Sequence, residues 1–189
     1  MKIHKIFIAI LSIFLVCTSV FATELPAPPN GYSWVEFEAI KGAFLKPSGW
    51  FFKQGTQGDV IGYFITKENI EVVGSFQTGL TVNVIPDIPG KKHIQASSFA
   101  VSYIKAVTES REVYKKPWSN SMGPFEANGV VVINRDLKQG DFVTHNLAIA
   151  NDQTGTLYLL TFESPLNQWD SSWEIAEPML KMFLIDDTI

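Results

Sequence analysis

Cysteine is nearly missing from this chain. Its 189 residues hold one, Cys17, so no internal disulfide can form and the four-ligand Cys/His sets of structural zinc are absent. Histidine is scarce too: of three, only His93 and His145 lie beyond residue 22. Lys and Arg never run more than two in succession, and 15 of them face 19 acidic residues, a net charge of −4. Nucleic-acid binding needs a clustered basic face, so nucleic acid is excluded as the expected partner. The sequence holds no G-x-S-x-G, no G-x-x-x-x-G-K-[ST] and no G-x-G-x-x-G, which removes the nucleophile elbow and both phosphate loops. There is no N-x-[ST] sequon either. Past residue 22 no apolar run approaches the roughly 20 residues that a spanning helix needs.

What is present begins with a leader. Lys2, His4 and Lys5 precede an apolar run from Ile6 to Val16 in which only Ser12 is polar, and Val20-Phe21-Ala22 ends it with small residues at the cleavage positions. A positive start, a short apolar stretch and an A-x-A-like end describe a secretory signal peptide, with cleavage expected after Ala22. Val16 and Thr18 around Cys17 do not suit a lipoprotein site. Cleavage would remove the one cysteine and two lysines, leaving 13 basic against 19 acidic residues and a net charge of −6. The expected product is exported, periplasmic or extracellular, with no stable membrane insertion, and it holds together by its core alone.

Residues 23–32 carry Leu25-Pro26-Ala27-Pro28-Pro29-Asn30-Gly31, an extended, proline-rich lead-in. No second linker, charge block or repeat follows, so residues 33–189 read as one domain. Strand patterns dominate it. Trp50–Gln54 and Val60–Thr66 flank a glycine-rich turn, Thr78–Ile85 alternates Leu80, Val82 and Val84 against Thr81 and Asn83, and Val130–Asp136 is a further strand. Phe142–Ala150 and Thr156–Phe162 flank Asn151-Asp152-Gln153-Thr154-Gly155, so three consecutive strands should form an antiparallel meander. Ala96, Phe99, Ala100, Tyr103 and Val107 instead recur at helical spacing. Ser171-Ser172-Trp173-Glu174 matches a capping box ahead of a second helical stripe, inside which Pro178 predicts a kink or restart. Hairpins with two separate helices predict an α+β layered domain.

These residues resemble a known family. The run GYFITKENI…GSFQTGLTVNVI with the helix ASSFAVSYI, the preceding KPSGW and the closing PMLKMFLID are similar to the core of the PsbP-like superfamily, which includes photosystem II PsbP, a Ran-GTPase-binding import factor and DcrB-type periplasmic proteins. The resemblance runs from about Ser33 to Ile185. It implies a central antiparallel sheet with helices on both faces, an α/β/α sandwich, and a non-enzymatic docking or assembly role. The simple leader does not match the transit peptide of a photosynthetic member.

Candidate chemistry is thin. His145 shares a strand face with Val143 and Leu147, so a partly buried structural histidine is expected, with a secreted hydrolase using His145 as the alternative. His93 follows Pro89-Gly90-Lys91-Lys92 and reads as solvated. Asp186-Asp187, or Asp87 with His93, could offer oxygen ligands to an ion, but neither forms a D-x-D-x-D loop, so no metal or cofactor is expected. A small-ligand or ion carrier stands as a further alternative. The aromatic residues remain: five Trp, five Tyr and eleven Phe beyond residue 22. Most suit core packing. Trp118 lies in Lys116–Pro124, which reads as a loop, and loops carry recognition. Trp118 and Met122 are therefore the expected contacts to a protein partner, which the sequence leaves unidentified, with a ring that pins the loop as the alternative for Trp118.

Overall fold

The structure is a computed structural model that describes residues 25–135, 140–186 and 188. The leader, with its expected cleavage site, lies outside them.

Three strands make a small antiparallel sheet in the order β1-β2-β10: β1 (Tyr32–Phe37), β2 (Gly42–Pro47) and β10 (Phe183–Leu184). Trp34 donates its indole N–H to the Pro26 carbonyl at 2.6 Å, which ties the proline-rich lead-in to β1. The remaining strands are β3 (Phe51–Gln57), β4 (Val60–Thr66), β5 (Gly79–Ile85), β6 (Glu112–Met122), β7 (Phe125–Asn134), β8 (Phe142–Asn151) and β9 (Thr156–Pro165). They form one seven-stranded sheet ordered β3-β4-β5-β9-β8-β7-β6, antiparallel at every step. The helices are α1 (Ile70–Val73), α2 (Ile88–Lys92), α3 (Ala96–Ser110) and α4 (Trp169–Lys181). The chain climbs β3-β4-β5, crosses the sheet through α2 and α3 to its far edge, and returns through β6-β7-β8-β9 to pair with β5. The expected three-strand meander is thus the last part of a four-strand one.

Each face of the large sheet has its own core. On one, α3 lays Ala96, Ala100 and Ile104 against Val130, Val132, Ala148 and Ala150. The small side chains let helix and sheet approach closely. On the other, α4 and the small sheet cover Tyr63, Ile65, Leu80, Val82, Val143, Leu147, Leu160 and Phe162. The period-2 alternation of β5 sorts itself accordingly, with Leu80, Val82 and Val84 all buried. This is the expected α+β sandwich, except that one of its two outer layers is shared between a helix and a second sheet.

Two local expectations need correction. The capping box is not used: α4 starts at Trp169, three residues before the start that Ser171 as N-cap would set. Ser171 donates to the Gln168 carbonyl, and Ser172 turns inward to accept a 2.8 Å hydrogen bond from Ser164 of β9. Burial of Trp169 against Phe162, with ring centroids 5.7 Å apart, outweighs the local cap. Pro178 does not restart the helix, because it falls in the last turn and only the Glu174 carbonyl loses its partner there.

Candidate functional site

The stretch read as a loop around Trp118 is the outermost strand. β6 runs the full eleven residues Glu112–Met122, every one of them exposed, and pairs with β7 alone. Its sequence hid this, because an edge strand whose residues all stay exposed shows no hydrophobic alternation, and Lys115-Lys116-Pro117 reads as a breaker. Lysine and proline are what strand edges carry, since a strand with one free side tolerates a missing N–H and resists further pairing.

Two irregularities shape this strand. The register passes from Val113↔Val132 to Lys115↔Val131 and then to Trp118↔Gly129, so one extra residue is absorbed at each step. In a regular strand Lys115 and Trp118, three apart, would point to opposite faces. Here both lie beside residues of β7 that face α4, because Val131 and Gly129 are two apart on that strand. From Trp118 onward pairing is regular, so Asn120 and Met122 share the Trp118 face. The two sequence-predicted contacts thus stand on one face, Trp118 40% and Met122 53% exposed.

The Trp118 ring is seated rather than loose. Its six-membered ring occupies the space above Gly129, where an added Cβ would come within 2.5 Å of the indole carbons. Glycine at 129 is therefore the condition for the ring to lie down on the sheet. Behind it stands His145 of β8, centroid to centroid 6.4 Å from Trp118 and 5.0 Å edge-on from Trp173 of α4. Trp173 stacks on Trp169 at 5.4 Å, and Trp169 meets the edge of Tyr114 at 6.3 Å. Lys115 holds its ammonium 5.5 Å from the Trp173 ring centroid, a cation–π contact. Tyr114, Lys115, Gly129, Trp169 and Trp173 are site residues that sequence spacing missed. The lysine–proline pair within a polar, aromatic run was the available sign of an edge.

His145 is 7% exposed, and its Nδ1 is buried without a hydrogen-bond partner among the described residues. Burial in this apolar cage, seconded by the Lys115 charge, lowers its pKa to about 4, so the imidazole is neutral near pH 7. A catalytic histidine is oriented by a third group on its second nitrogen and opens toward substrate. Among the described residues no side chain accepts from or donates to His145, and its ring lies against the indoles of Trp118 and Trp173.

The other candidates are dispersed. His93 is exposed in a turn, and Asp87 spends its carboxylate on the Gly90 N–H at 3.0 Å. Asp186 accepts from Thr188, while Asp187 lies outside the described residues. Among the described residues no three His, Cys, Asp or Glu side chains converge to hold a metal ion, and no helix is long and apolar enough to cross a membrane. A larger open cleft of about 1270 Å³ lies beside the small sheet, lined by Phe37, Phe125, Leu184 and Ile185. Lys41 stands 3.8 Å from Asp186 there, and Glu36 and Glu38 also line the cleft.

No protein-family model matches the chain, nor does any curated protein sequence. Solved structures do. Cyanobacterial PsbP (CyanoP) from Synechocystis sp. PCC 6803 superposes with a TM-score of 0.51 at 13% identity, over 82% of this chain and 93% of that one. The Saccharomyces cerevisiae Ran-binding protein Mog1p gives a TM-score of 0.51 at 12% identity, over 83% and 96%. The chain has a PsbP/Mog1-like fold. At such identities the likeness is one of architecture, and the PsbP/Mog1-like fold here serves to bring β6 and α4 side by side.

Proposed function

We propose that this chain is an exported, non-enzymatic docking module whose partner-binding face is formed by β6 and α4. The observation that carries this reading is the seated, half-exposed Trp118. A rigid indole presented to solvent over a glycine has already lost the rotamer entropy that binding would cost, and tryptophan is a favoured hot-spot residue at protein interfaces. Met122 on the same face adds a polarizable, adaptable contact. The absence of a catalytic motif and the name of Mog1p, a Ran-binding protein, lend support from outside the site. Export rests on the leader. Cleavage after Ala22 predicts that the protein recovered from outside the cytoplasm begins at Thr23, which N-terminal sequencing checks.

Docking is tested by placing a photo-crosslinking residue at 118 and, as a control, at exposed Val72 of α1. The β6 position should capture a discrete partner in living cells and the α1 position should not. Equal capture from both sites, or none from 118, would remove the β6 face from the proposal.

A further inference from the structure

The partner chemistry can be taken further, on the strength of the docking reading above. Most cations near the far edge of the sheet are already engaged. Lys105 lies 3.8 Å from Glu109 one helical turn on, Arg111 donates to Asn134, and Arg135 bridges Glu112 and Asp141. Lys115 and Lys116 have neither a carboxylate nor a side-chain hydrogen-bond partner among the described residues, and Arg111 has only the neutral Asn134. Lys115 is spread over the Trp173 ring, beside the seated Trp118. In a protein of net charge −4, the Lys115 ammonium thus stands on the exposed aromatic face with no carboxylate opposite it, and Lys116 follows it on the same exposed strand.

We infer that the β6 face receives a segment of a partner protein in which apolar side chains are interleaved with carboxylates. The apolar groups seat against Trp118 and Met122 while the carboxylates reach Lys115 and Lys116. Charge complementarity selects this occupant and sets its register, while the indole supplies the buried anchor. A second copy of the chain fits the edge poorly. Pro117 stands at the middle of β6, so a two-fold pairing centred there meets a missing N–H and brings four lysines into one short stretch.

The test is an amide and indole chemical-shift titration of isotope-labelled protein isolated from the producing cells. The probes are the peptides acetyl-Asp-Phe-Asp-Leu-Asp-amide and acetyl-Lys-Phe-Lys-Leu-Lys-amide, with phosphatidylglycerol vesicles alongside. The acidic peptide should shift the Trp118 indole N–H together with Met122 and the backbone of β6, and the basic peptide should not. Affinity should fall about tenfold in a K115E/K116E double variant, and by a similar factor between about 50 and about 300 mM salt. Equal footprints from both peptides on β6 would overturn the acidic assignment and leave docking through this face intact. Shifts confined to another surface, or none, would overturn both. Vesicles matching the acidic peptide's footprint would replace the protein segment with an anionic lipid surface. Concentration-dependent shifts along β6 without any probe would replace it with a second copy.

Discussion

One face of the large sheet carries two aromatic clusters, one at each end, and they differ in what covers them. Over β3 and β4, the rings of Phe183, Phe44, Phe37, Tyr63 and Phe52 lie almost parallel, with successive centroids 5.2, 4.6, 3.9 and 6.4 Å apart. The small sheet closes this stack, and Phe37, Phe44 and Tyr63 are fully buried. Toward β6, the rings of Tyr114, Trp118, His145, Trp169 and Trp173 meet at mixed angles, α4 alone covers them, and the outer strand stays bare. The same residue chemistry builds a core where a second layer closes over it and a presented surface where none does.

The largest effect that would sharpen this contrast is Phe37→Ala. It removes the centre of the closed stack and should cost about 3–5 kcal/mol, read as a lower denaturant midpoint at unchanged slope. A cost similar to that of Trp118→Ala would erase the distinction between the two clusters.

Acid should act on the open cluster next. His145 has a folded-state pKa near 4 against an ordinary value of 6.5, so between those values the unfolded chain binds more protons. Stability is therefore lost as pH falls from about 6.5 to about 4, by roughly 3 kcal/mol, and no further loss from this group follows below that. Glu163, whose pKa burial raises, works in the opposite sense, so the His145→Leu variant isolates the effect. The variant should lose this component of the pH slope while keeping its stability at pH 7, because it also removes a buried nitrogen without a partner. A pH profile that His145→Leu leaves untouched would show the ring to be solvated.

A smaller effect is expected for Gly129→Ala. The new methyl group takes the place of the indole, which should cost about 1–2 kcal/mol and shift tryptophan emission as the ring lifts away. Smallest in stability is Trp118→Ala, at about 1 kcal/mol or less for a half-exposed ring, with at least a tenfold loss of partner capture. A large loss of stability with capture intact would turn the β6 cluster into a second core.

Much of the fold was legible. Val60–Thr66 occupies its expected span, and β5, β8, β9 and α3 differ from theirs by no more than a few residues at an end, because half-buried strands and helices impose their period on apolar residues. The pair Trp118 and Met122 was readable as exposed aromatic and apolar residues, though on the wrong kind of element. Lys115 and Gly129 were not readable. Their roles depend on two register shifts and on what lies across the strand, and neither leaves a local pattern.

The sequence by itself determined the alternation of strands and helices, the cysteine-free core and the expectation of export, because each rests on the order of residues along the chain. Tertiary structure alone decided that Lys116–Pro124 begins within an edge strand, that Ser172 faces the sheet instead of capping a helix, and that His145 is held neutral beneath two indoles. Those outcomes depend on burial and register between segments distant in sequence, such as Trp118, His145 and Trp173, and burial exists only once the layers have closed.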